Sequence, residues 1–239
     1  MPVEHLEQIV ASPSVIGIDS ARLSELEEDS RELTSRAIRE SEREDPKKPI
    51  DAVYKSFLQP LFEISYQDMA NDPTIAARYF GFSNKAALEA ELLFRKTLDV
   101  SWLEKKLKHL VDSADSSLFH KSKFEGSSGY PVTLRRCAHT ASLIGERLVG
   151  EFEYERAANF LNRALDYYFE SCDEWLSLGH KHDAGKAMIW ALDVSRKLYI
   201  LTRDPAYKHA IPKKCMAVLH KKVNISRFVD YGQSIIDQF

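Results

Sequence analysis

The stretch EFEYERAANFLNRALDYYFESCDEWLSLGHKHDAG, residues 151–185, decides the fold class. Tyr154, Ala157, Leu161 and Ala164 recur every three or four positions, a spacing that gathers side chains on one face of an α-helix. Trp175, Leu178 and Gly179 follow in the next segment. Small side chains let two helix backbones approach closely, while Tyr, Trp and Leu fill the flanking grooves. The stretch therefore predicts two helices clamped as a hairpin, one of several.

The same period extends on both sides. LRRCAHTASLIGERLVG precedes the stretch, with DEWLSLGHKH expected as a separate short helix and AGKAMIWALDVSRKLYILT as the next. DPAYKHAIP is expected to be a turn that can carry a short helix, and KKCMAVLHKKV and RFVDYGQSIIDQF close the chain as helices. Upstream, Ser83 and Ser101 can cap two helices, the second carrying Trp102, Leu103, Leu107, Leu110 and Val111 at helical spacing. Residues 21–45 read as a solvated helix, and DPKKP at 45–49 stops it. Pro60 should kink the helix that follows. The expected organisation is an all-α protein: a helical region over 1–112, a loop or linker over 113–132, and antiparallel helical hairpins over 133–239.

Composition agrees. Gly and Pro number only nine each in 239 residues, against the many turns a sheet protein needs. The formal net charge of -3 implies no strong overall field. Its distribution is uneven: residues 1–50 are rich in Glu, whereas Lys208 to Arg227 is basic. Cys137, Cys172 and Cys215 are too few and too scattered for a disulfide scaffold. MPVEHLEQIV lacks the basic start of a secretory signal, and no apolar run approaches the roughly 18 residues that span a bilayer. The expectation is a cytoplasmic protein without a membrane partner.

Residues 137–203 resemble two units of a tetratricopeptide repeat, a family that stacks helix pairs with a period of about 34 residues. Gly145 and Leu148 match a first helix, and Tyr154, Ala157, Leu161 and Ala164 a second. Trp175, Leu178 and Gly179 match the next first helix, and Ala191 the position of Ala157. His182, Ser195 and Leu198 depart from the pattern, and a third copy would place its glycine at Lys213. The resemblance implies a groove lined by first helices, into which His139, Ser142, Glu146, His180 and Asp183 would face. Such a mixed polar groove suits an extended peptide or a partner's helix.

Other chemistries are weakly represented. Cys137-x-His139 and His180-x-His182-Asp183 place candidate ligands on different helix faces, since same-face neighbours lie three or four apart. No metal or other cofactor is expected. Nucleophile elbows, phosphate loops and dinucleotide fingerprints are absent. Arg203 and His209 are similar to the Arg–His signature of HEPN-type ribonucleases, although Pro205 interrupts the helix such a motif requires. Residues 74–92 resemble a helix-turn-helix, but Glu89 and Glu91 oppose phosphate. Lys213, Lys214, Lys221, Lys222 and Arg227 offer a basic face for nucleic acid. The leading expectation is a non-enzymatic adaptor binding another protein. A nucleic-acid-associated helical protein and a HEPN-like ribonuclease are the alternatives.

Overall fold

The computed structural model describes residues 83–121, except 85, 86, 89, 92 and 96, and residues 129–239. The solvated first helix, the Pro60 kink and most of the helix-turn-helix candidate lie outside the described residues. After a helical stretch ending at Thr97 come α1 (Val100–Lys121), α2 (Gly129–Gly150), α3 (Tyr154–Ser177), α4 (Lys181–Thr202) and α5 (Pro205–Val218). A π-helical turn (Leu219–Val223) and α6 (Ser226–Ile236) complete the chain. There is no strand among the described residues, so the chain is all-α.

Described residues within 84–115 and 129–239 cluster as one compact unit; Ser83 and the end of α1 from Ser116 fall in a second. In the larger unit α2, α3 and α4 form successive antiparallel neighbours, joined by turns at 151–153 and 178–180. α5 and α6 then pack on α4. α3 packs against both α2 and α4 and buries Ala157, Leu161, Ala164, Leu165, Tyr168, Cys172 and Trp175.

The α2–α3 crossing depends on small residues, as the sequence predicts. A Cβ on Gly145 would lie 2.7 Å from Leu161 Cγ and 3.1 Å from the Ala157 carbonyl oxygen. Ala157 and Ala191 are wholly buried. Gly145→Ala is therefore expected to lower stability by about 1–3 kcal/mol through overpacking. Urea unfolding would measure it, and a neutral result would mean that Leu161 repacks freely. The same device seats α6: a Cβ on Gly185 would come within 2.5 Å of the Phe228 ring.

Four expectations are corrected. DEWLSLGHKH is not a separate helix; α3 continues to Ser177, so Trp175 belongs to it. Gly179 sits in the turn after α3, exposed, with φ +77° and nothing within 4 Å of where a Cβ would stand. The His180 N–H donates to the Trp175 carbonyl at 2.8 Å and the Gly179 N–H to that of Leu176 at 3.1 Å, a left-handed helix stop. Gly179 thus serves backbone conformation rather than helix crossing, and the 34-residue register ends there. The expected loop over 113–132 shrinks from both sides, because α1 runs to Lys121 and α2 starts at Gly129. DPAYKHAIP is more than a turn with a short helix: Asp204 Oδ1 accepts the Ala206 N–H at 2.8 Å, Pro205 takes the first helical position, and α5 runs on through Pro212 to Val218.

Candidate functional site

Two short turns return the chain twice, so α2 and α4 run parallel on the same side of α3. Their facing stripes meet at three levels. Arg135 Nη1 lies 3.2 Å from Asp183 Oδ1. One turn further along α2, the His139 ring packs edge-on against Trp190, with centroids 4.4 Å apart. Two further turns on, Lys197 Nζ donates to Glu146 Oε1 at 2.8 Å. The sequence separation across the first rung is 48 and across the last 51, so the helices stay nearly in register. The result is a furrow crossed by paired side chains.

Tyr168 of α3 forms its floor. The side chain is 2% exposed, and its hydroxyl lies 2.7 Å from His139 Nδ1. His139 keeps an exposed edge, yet its ring is pressed between Tyr168 and Trp190. Burial, reinforced by Arg135, Lys106 and Lys197, lowers its pKa to about 4. The ring is neutral near pH 7, and with its proton on Nε2 it accepts the Tyr168 O–H at Nδ1. At the far end, Asp193 accepts from Lys197 at 2.5 Å and from Arg196 at 3.0 Å. Burial opposes ionisation of Asp193, but these two cations outweigh it and lower its pKa.

Of the five groove residues expected, His139, Ser142, Glu146 and Asp183 occupy this furrow. Ser142 is buried and donates to Glu146 Oε1 at 3.2 Å, so it orients the carboxylate rather than facing a partner. His180 is not in the furrow. It sits in the α3–α4 turn, with its ring 5.3 Å from that of Trp175, because α3 extends further than expected. Arg135, Tyr168, Trp190 and Lys197 were missed, although Arg135 lies one turn before His139 and Trp190 two turns after Asp183.

The remaining candidates separate. Arg203 ends α4 with φ +60°, whereas His209 lies within α5; both are exposed and they share no helix. All three cysteines are buried thiols. Burial pushes Cys172 and Cys215 up to about 12 and Cys137 higher still, which suppresses thiolate chemistry. Among the described residues, no group of three or more His, Cys, Asp or Glu converges as a metal site. No described helix is long and apolar enough to cross a membrane. A cleft of about 330 Å³ lies between α1 and α3, lined in part by Asp112, Phe160 and Arg163. The basic residues Lys213, Lys214, Lys221, Lys222 and Arg227 are all exposed.

The geometry defines the chain's class: an all-α array of long antiparallel helices with a charged and aromatic furrow. No protein-family model matches it. No curated protein matches it either. Among solved structures, the crystal structure of a de novo designed helical repeat protein aligns over 91% of both chains, with a TM-score of 0.46 and 14% sequence identity.

Proposed function

We propose that the chain is a non-enzymatic interaction module that holds a partner protein's helix or extended peptide along the α2–α4 furrow. One observation carries this reading: the ladder of Arg135–Asp183, His139–Trp190 and Glu146–Lys197 on two helices in register. An aromatic centre flanked by charges of both signs suits a segment with one large apolar side chain and mixed charges around it. The charged rungs are partly exposed, so each can exchange its internal partner for one on the ligand at little cost. The neutral His139 and the buried thiols favour binding over acid–base or nucleophilic catalysis.

Peptides selected from a random phage-displayed library against the full chain test it. Exposed ion pairs contribute only about 0–1 kcal/mol, so Asp183→Ala combined with Lys186→Ala should leave the fold intact. The selected peptides are expected to bind this variant about tenfold more weakly, or about 1.4 kcal/mol. Equal affinity for both proteins, or cross-linking of the peptides outside α2 and α4, would refute the reading.

A further inference from the structure

The basic residues near the carboxy-terminus are brought together by a detail of the backbone. α5 and the π-helical turn form one continuous rod whose buried side carries Pro212, Cys215, Leu219 and Val223. The alternating pattern leaves Lys213, Lys214, Lys221 and Lys222 exposed. Asn224, at φ +52°, then stops the rod by donating to the Leu219 carbonyl at 2.8 Å. The reversal starts α6, and its Phe228 seats on Gly185 and against the His182 ring at the start of α4. Arg227, which precedes Phe228, is thereby held near the start of α4. Lys214 and Lys222, with Asp173 beside them, act electrostatically on Cys172 of α3, which places both lysines near that part of the helix.

These cations differ from those of the furrow. There, every lysine and arginine in the ladder meets a carboxylate. Here, Lys213, Lys221, Lys222 and Arg227 form no ion pair among the described residues. Lys214 Nζ stands 3.8 Å over the Phe169 ring, and the Arg227 guanidinium 5.1 Å over Phe228. Tyr231, one turn beyond Arg227 on α6, is 58% exposed. Asp173 and Asp166 offset part of this charge, but the four cations without an ion-pair partner still repel one another, and a polyanion relieves that repulsion.

We propose that this basic region binds single-stranded nucleic acid, with the lysines and Arg227 on the phosphates and Tyr231 stacking on a base. Two features favour this over other polyanions. Apart from Tyr231, large exposed apolar residues that an anionic membrane would take up, such as Leu98, Phe152 and Tyr154, lie around other turns of the array. Cations wrapped around two helix ends and a turn can follow a flexible backbone, and an exposed aromatic ring gives a base a stacking surface that a purely acidic peptide does not need.

Fluorescence anisotropy of a labelled mixed-sequence RNA 12-mer with the full chain tests the proposal. The dissociation constant is expected to weaken with salt, at a log–log slope of about 0.7 for each phosphate neutralised. The triple variant Lys221→Glu, Lys222→Glu, Arg227→Glu should reduce that slope by about 2 and weaken binding at least tenfold, with unchanged circular dichroism. Tyr231→Ala should weaken it by about tenfold through lost stacking while leaving the salt slope unchanged. Absence of RNA binding at low salt overturns the proposal, as does a triple variant that binds as well as the wild type. Equal or tighter binding to poly-glutamate, or to phosphatidylserine vesicles, also overturns it by identifying a different polyanion.

Discussion

Tyr168→Ala is expected to destabilise the protein by about 3–5 kcal/mol, the range for deleting a large buried aromatic side chain. Tyr168 is 2% exposed and lies in the middle helix of the α2–α3–α4 trio. Its ring contacts His139 edge-on with centroids 5.5 Å apart, and Trp190 at 6.0 Å. Its removal empties the floor of the furrow, and neither neighbouring helix can move in without breaking the Gly145–Leu161 crossing. Tyr168→Phe separates packing from polarity. It keeps the ring but leaves His139 Nδ1 without its hydroxyl partner, at a cost of about 1–3 kcal/mol. Urea unfolding monitored by tryptophan fluorescence ranks the two variants. Similar losses in both would show that the hydrogen bond, rather than the ring, dominates; a loss under about 1 kcal/mol for Tyr168→Ala would contradict the floor assignment.

The second large effect concerns pH. His109 and Asp112 are close on α1, and burial shifts both, in opposite directions. Burial, aided by Lys108 and Lys105, lowers His109 from its ordinary 6.5 to about 4. Burial raises Asp112 from 3.8 to about 6, against Lys108 and with Asp115. Its Oδ2 is buried without a hydrogen-bond partner. Between pH 4 and 6.5 the folded state binds fewer protons at His109 than the unfolded chain. Stability from this residue is therefore complete above 6.5 and lost as pH falls towards 4. Asp112 behaves inversely: the folded state binds more protons between 3.8 and 6, so its contribution is present at low pH and lost as pH rises through 6. At about 1.4 kcal/mol per pH unit, each swing reaches at most about 3 kcal/mol, and the two nearly cancel.

Asp112→Asn unmasks the histidine. The variant is expected to gain about 1–2 kcal/mol over the wild type at pH 7, because an ionised carboxylate no longer has to be buried. Its unfolding free energy should rise with pH between 4 and 6.5 more steeply than that of the wild type. His109→Gln should do the reverse over the same window. Parallel profiles for Asp112→Asn and wild type would show that Asp112 is hydrated in the folded protein and ionises normally.

Much of the helical pattern was legible in the residues alone. The spacing of Ala157, Leu161, Ala164 and Leu165 identifies the buried face of α3, and Gly145 was correctly placed at a crossing. The furrow was legible in part: the stripe His139, Ser142, Glu146 lies on α2 as its spacing requires. Its opposite wall was not, since periodicity states which residues share a face but not which faces meet. The pairing of Arg135 with Asp183 and of Glu146 with Lys197 depends on the lengths of α2, α3 and the turns between them.

Gly179 shows why those lengths escaped the sequence. A glycine can admit a close helix crossing or adopt the left-handed backbone that ends a helix, and one residue code serves both. Local spacing by itself determined an all-α chain with amphipathic helices and a concentrated basic run. Only the tertiary structure decided that α3 ends at Ser177, that α2 and α4 stand in register, and that Lys214 and Lys222 both lie near Cys172 of α3. Side-chain periodicity is a property of one helix, whereas register and convergence arise from where the turns return the chain.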